Sequence, residues 1–217
     1  MASESECKST ADPSAPIASD RENFDLCGPL HLTTVDWKDP IHRRSVAACL
    51  VQSVYVLERD RQEKREGSQA LAPRWWRSFD FQLHTQLNDD ADSCVFGAIY
   101  QFNSTNSDGN DSAPRYVIAF RGTITKGDAF TRDLELDIHI VRNGLHQTSR
   151  FEIGMQAVRH IVATYGSSNV WLTGHSLGAA MALLAGKNMA KTGVSSRRSC
   201  LIHRSSQPRL RASRTKK

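Results

Sequence analysis

The chain has 217 residues and a mass of 24.2 kDa, which is enough for one domain around a single hydrophobic core. Its formal net charge is +5. No stretch approaches the ~18 apolar residues of a membrane-spanning helix, and the five cysteines lack the spacing of a metal site. These features predict a protein without a transmembrane segment, a metal or a cofactor.

Residues 1–23 are predicted to form a disordered polar leader. Ser, Ala, Glu and Pro dominate the segment, and it has no apolar run of signal-peptide length. Its serines leave a transit peptide open, although the acids Glu4, Glu6 and Asp12 argue against one. We therefore expect a cytoplasmic protein and leave organelle targeting open.

Residues 24–194 have the pattern of an α/β domain. Apolar side chains recur at helical spacing over residues 43–60 and predict a packing helix, and the charged run 59–66 is typical of a solvated helix end. Residues 94–102 predict a strand. Core aromatic residues, rather than a ligand platform, are predicted at Trp75, Trp76, Phe79 and Phe81.

A strand pattern over residues 115–120 ends in Arg121, Gly122 and Thr123. Taken alone, this sequence is typical of a strand that ends in a turn. Thr123 nevertheless offers both an N–H and a hydroxyl, which are the donors that a tetrahedral oxyanion requires. A helix with an apolar face follows at residues 149–165.

A serine-hydrolase nucleophile motif, GHSLG, occupies residues 174–178. An apolar run at 169–173 predicts a buried strand before it, and an Ala-, Leu- and Met-rich run at 177–190 predicts a helix after it. This strand–turn–helix context is the one in which the motif exposes a strained serine. Bulky residues two positions either side would clash, and Gly174 and Gly178 occupy those positions.

Residues 117–123, VIAFRGT, together with the GHSLG motif, resemble the lipase class 3 (fungal lipase-like) group of α/β-hydrolases. Residues 28–32 and 133–151 look like a plant subgroup whose members are often labelled GDSL esterase/lipase, although this chain has no Gly-Asp-Ser-Leu motif. The resemblance covers roughly residues 24–194.

The resemblance implies an α/β-hydrolase fold, here with an incomplete parallel sheet, flanking helices and no C-terminal strands. It implies Ser176 as the nucleophile and the oxyanion donors Thr123 and Leu177. The substrate would be a lipid or another carboxylic ester. The remaining motif residues are Gly174, His175, Gly178, Arg121 and Gly122.

The catalytic acid and histidine of the family match no position in this chain. In α/β-hydrolases both follow the serine in chain order, yet the last acid here is Glu152 and the only later histidine is His203, in a segment without an acid to orient its ring. We therefore expect an esterase whose activity is strongly reduced by the loss of the catalytic acid and histidine. Surface, packing or outward-pointing roles are predicted for His139, His146, His160 and His175.

Residues 195–217 form a basic tail with eight Lys or Arg residues and no acid, so the rest of the chain has a net charge of −3. Such a tail can bind anionic partners. The alternative to an esterase is therefore a non-catalytic truncated protein or pseudoenzyme whose basic tail binds anionic partners. No nucleic acid is expected, because no aromatic residues interleave the charges. A binding module would not need the GHSLG motif.

We predict that residues 195–217 are disordered and encoded out of frame. The fold calls for another apolar strand after Val194, and the tail instead has an abrupt Ser- and Arg-rich composition. One allowed set of codons, read in the neighbouring frame, encodes an apolar strand and a Pro-Pro turn. Sequencing the transcript tests this prediction. It fails if the neighbouring reading frame soon meets a stop codon or encodes no hydrolase-like continuation.

Overall fold

The computed structural model describes residues 28–29, 34–103, 112–122 and 148–193. The leader 1–23, Thr123 and the tail 195–217 lie outside these residues. The described helices are α1 (Pro40–Gln62), α2 (Pro73–Arg77), α3 (Ser149–Tyr165) and α4 (Leu177–Lys191), with 3₁₀ turns at Gly67–Gln69 and Ser167–Asn169. The described strands are β1 (Phe81–Asn88), β2 (Val95–Phe102), β3 (Tyr116–Phe120) and β4 (Val170–Gly174).

The four described strands form one mixed sheet in the order β1-β2-β3-β4. Its first two pairings are antiparallel, and the parallel pairing expected from the sequence is found between β3 and β4. Strand β1 was not predicted, because six of its eight residues are exposed or half-buried and give it little apolar alternation. Within the described part of the chain, β4 has a strand partner only on its β3 side.

Helices cover both faces of this sheet, and each face has its own apolar core. One core lies under α1 and includes Val117 and Trp171, whereas the other lies under α3 and α4 and includes Ile118 and Leu172. All five residues of β3 and all five of β4 are buried. Strands that helices cover on both faces read as continuous apolar runs, which is why the sequence identified them.

The helix ends are fixed by local capping. The Asp39 carboxylate accepts a hydrogen bond from the Ile41 N–H at 2.7 Å and begins α1. The Thr148 hydroxyl accepts one from the Phe151 N–H and begins α3, whose bounds are those predicted. The apolar side chains expected to face inward from α1 are all buried: Val46, Ala47, Leu50, Val51, Val54 and Leu57.

The charged end of α1 differs from the solvated surface that its sequence suggested. Asp60 is buried, pairs with Arg65, and accepts hydrogen bonds from the N–H groups of Leu71 and Ala72 at 3.0 and 2.9 Å. Glu58, immediately before the run, is also buried. These partners lie 5 to 12 residues further along the chain, so the charge pattern alone does not reveal them.

Glu58 joins α1 to the first residue of β2. Its carboxylate accepts hydrogen bonds from the Val95 N–H at 2.8 Å and from the Arg61 guanidinium. Burial favours the neutral acid, but the bonds from Arg61, Val95 and Gln62 outweigh it and hold the pKa of Glu58 below its ordinary value. The folded state therefore favours the ionised carboxylate.

Among the described residues, none of the helices has the length and hydrophobicity that a membrane span requires.

Arg150, near the start of α3, joins α3 to the β1–β2 connection through Asp89 and through the Cys94 sulfur at 3.2 Å. Burial raises the pKa of Cys94 to about 11 and that of Cys49 to about 12. Both thiols are therefore protonated and poorly reactive at neutral pH.

We predict that replacing Glu58 by Gln lowers stability and flattens its pH dependence. A carboxyl with a depressed folded pKa contributes stability above its unfolded pKa of about 4.3, and this contribution is lost as the pH falls through the folded pKa. At pH 7, Glu58→Gln should cost about 1–3 kcal/mol. Urea unfolding between pH 3 and pH 7 measures both effects, and parallel stability curves for the variant and the parent would contradict them.

Candidate active site

Ser176 stands at a sharp turn between β4 and α4. Its backbone angles are φ +54° and ψ −122°, a combination that costs free energy for a residue with a side chain. The helix begins at once, because the N–H groups of Ala179 and Ala180 donate to the Ser176 carbonyl. The GHSLG motif thus lies between a strand and a helix, with its serine in a strained conformation.

The two glycines of the motif lie where the backbone is too crowded for a side chain. A Cβ on Gly174 would lie 2.3 Å from the carbonyl carbon of Gly178. A Cβ on Gly178 would lie 2.3 Å from the carbonyl oxygen of Phe120, the last residue of β3. The turn therefore presses against the end of the neighbouring strand, and this contact requires the glycine spacing.

The second motif reaches the same place from β3. Because β3 and β4 are parallel neighbours, Phe120 pairs with Gly174 and both strands end at one edge of the sheet. A Cβ on Gly122 would lie 3.0 Å from the Ser176 Cβ and 3.0 Å from the His175 carbonyl oxygen. Gly122 therefore lies so close to the GHSLG turn that a side chain on it would crowd Ser176, which is 54 residues further along the chain.

Arg121 anchors this end of β3 and is itself buried. Its Nε donates to the Val95 carbonyl at 2.6 Å, and its Nη1 donates to the Gly122 carbonyl at 2.7 Å. Burial lowers the pKa of the Arg121 guanidinium, because a charged group is less well solvated away from water. The sequence identified Arg121 only as a motif residue, and the structure gives it the role of orienting the Gly122 carbonyl.

Tyr55, on α1, also contacts both motifs, and sequence reasoning missed it. Its hydroxyl accepts a hydrogen bond from the Gly122 N–H at 2.8 Å and lies 3.0 Å from the His175 Nδ1. The two rings meet edge to face with centroids 6.0 Å apart. Its sequence context gives no signal, because a tyrosine beside the apolar positions of a helix normally indicates packing.

The Ser176 hydroxyl is shielded from solvent, whereas the sequence led us to expect an exposed oxygen. It has no hydrogen-bond partner among the residues that the structure describes. His175 is directed to Tyr55, and His160 lies on the exposed face of α3. Leu177 is the first residue of α4, where N–H groups have no acceptor within the helix. Thr123, the other predicted donor, lies outside the described residues.

Residues 109–217 match the family model for Lipase (class 3). The chain therefore belongs to the class 3 lipase family of hydrolases, as its motifs predicted. Its mixed sheet, covered by helices on both faces, is part of an α/β-hydrolase fold.

A GDSL esterase/lipase of Arabidopsis thaliana is 56% identical over 183 residues, which cover 82% of this chain and 52% of that protein. The chain thus spans about half the length of this curated relative. A Rhizomucor miehei lipase in complex with its propeptide aligns at 18% identity with a TM-score of 0.43, over 75% of this chain and 50% of that one.

We predict that Gly178→Ala destabilises the fold by roughly 2–4 kcal/mol, because its Cβ would overlap the Phe120 carbonyl. Gly186, in the same helix, provides the matched control. A Cβ there would lie 3.8 Å from Leu172, an ordinary contact, and alanine should gain up to about 1 kcal/mol of helix propensity. Thermal melting of both variants measures the difference, and equal melting temperatures would show that the close approach is not required.

Proposed function

We propose that this chain supplies the nucleophile and the oxyanion hole of a serine hydrolase that cleaves carboxylic esters, with lipid esters as the substrate class. The observation that carries the proposal is the close approach of Gly122 to Ser176 at the strained turn, where a Cβ on Gly122 would lie 3.0 Å from the Ser176 Cβ. Membership of the class 3 lipases and the similarity to an esterase/lipase support it.

In the proposed reaction, the Ser176 oxygen attacks the ester carbonyl carbon and the alcohol leaves. The new bond makes an acyl-serine, which water then cleaves to release the acid. The negative charge on the carbonyl oxygen needs fixed donors. We assign these donors to the N–H of Leu177, at the start of α4, and to Thr123, which follows Gly122 in the sequence.

We further propose that this 217-residue chain performs the reaction poorly. No acid follows Glu152 in its sequence, and His203 is the only histidine after Ser176. Without a base the serine oxygen keeps its proton and is a weak nucleophile. Enzymes that lose members of the triad retain only the catalysis of the oxyanion hole and of binding, which is orders of magnitude weaker.

The purified chain should therefore hydrolyse a short activated ester, such as p-nitrophenyl butyrate, barely above the rate in buffer. We expect Ser176→Ala to remove the small excess. Ser168→Ala, a change at an exposed serine in the turn before β4, should leave it intact. The release of p-nitrophenol measures all three rates.

Two outcomes would contradict these assignments in different ways. Rapid turnover that Ser176→Ala abolishes would show that the chain contains a base, and the weak-activity proposal would fail. A small excess that is equal in the parent and in Ser176→Ala would show that Ser176 is not the nucleophile. The second outcome would favour a non-catalytic protein whose basic tail binds anionic partners.

A further inference from the structure

We propose that Tyr55 is a positioning residue for the candidate active site, and that its hydroxyl holds the Gly122 peptide against the nucleophile turn. The proposal rests on the proposed function, since it concerns the reactivity of Ser176. Tyr55 is far from the motifs in sequence, 67 residues before Gly122 and 120 before His175.

The tyrosine hydroxyl satisfies two groups at once, one from each motif. Its oxygen accepts the Gly122 N–H at 2.8 Å, which leaves its own proton available for the His175 Nδ1 at 3.0 Å. A phenylalanine ring would fill the same space and make neither bond.

Gly122 is held on both of its backbone groups. The Tyr55 hydroxyl accepts a hydrogen bond from the Gly122 N–H, and Arg121 donates one to the Gly122 carbonyl at 2.7 Å. A glycine without these bonds would have more freedom than any other residue. The reason for holding Gly122 is its nearness to the nucleophile turn, since a Cβ on Gly122 would lie 3.0 Å from the Ser176 Cβ and 3.0 Å from the His175 carbonyl oxygen.

The position of the Tyr55 hydroxyl is itself fixed by packing. Tyr55 lies in the middle of α1, whose neighbouring residues Val54 and Val56 are completely buried. The helix packs on β2, β3 and β4, so its core contacts set where the hydroxyl stands relative to the ends of β3 and β4. Donors that are fixed before the reaction begins stabilise a developing charge most effectively.

The test compares Tyr55→Phe with Tyr100→Phe in the full chain. Tyr100 is a matched control, because its buried hydroxyl also joins the sheet to α1, through Ser53, but Tyr100 pairs with Val117, three residues before β3 ends at Phe120. Both changes remove one phenolic oxygen from the same interface. The two variants should therefore show similar shifts in melting temperature.

Two measurements separate positioning from stability. Amide hydrogen exchange at Gly122 should accelerate at least about tenfold in Tyr55→Phe and stay within about twofold in Tyr100→Phe, because only the first change removes its acceptor. The rate at which a fluorophosphonate labels Ser176 over hours, followed by intact mass, should fall by about tenfold in Tyr55→Phe alone. Ser176→Ala should abolish this labelling.

Each outcome decides a different claim. Unchanged Gly122 exchange in Tyr55→Phe would overturn the proposal, as would a labelling rate equal to that of Tyr100→Phe. Failure of the parent to label at Ser176 would instead count against the proposed function. In that case Gly122 exchange, which needs no reactive serine, still decides whether Tyr55 holds this peptide.

Discussion

The candidate site depends on the close approach of two backbones. The turn after β4 presses on the end of β3 so tightly that a Cβ on Gly178 would lie 2.3 Å from the Phe120 carbonyl oxygen. This approach brings Gly122 to Ser176 and forces the serine into a conformation that few residues adopt. The glycine spacing of the motif is therefore a steric requirement of the fold, and the chemistry proposed for Ser176 uses the geometry that results.

A series of hydrogen bonds holds these backbones in place from the α1 side. Glu58 accepts the Val95 N–H, Arg121 donates to the Val95 carbonyl and to the Gly122 carbonyl, and Tyr55 accepts the Gly122 N–H. Helix α1 thus supports the site through two side chains, the Glu58 carboxylate and the Tyr55 hydroxyl. Buried networks of this kind stabilise a unique arrangement only when each member has its partners.

Local sequence patterns were sufficient to predict the helices and strands that bury one face or both. Helix α3 has its predicted bounds, α1 extends a few residues beyond its predicted ends, and β3, β4 and α4 flank the motifs as expected. Strand β1 was missed because its exposed polar residues outnumber its buried ones. The roles of Tyr55, Glu58 and Asp60 were also missed, since each depends on backbone groups that only the fold brings near.

The central claim is that Ser176 is the nucleophile of a site whose activation is weak. In the proposed site, which lacks an efficient base, deacylation should also be slow, so an acyl-serine should accumulate. The most direct measurement is peptide mass spectrometry after long incubation with p-nitrophenyl butyrate. The account predicts a butyryl group on the Ser176 peptide, absent from Ser176→Ala. Butyrylation confined to lysines and other surface residues, with none at Ser176, would contradict it.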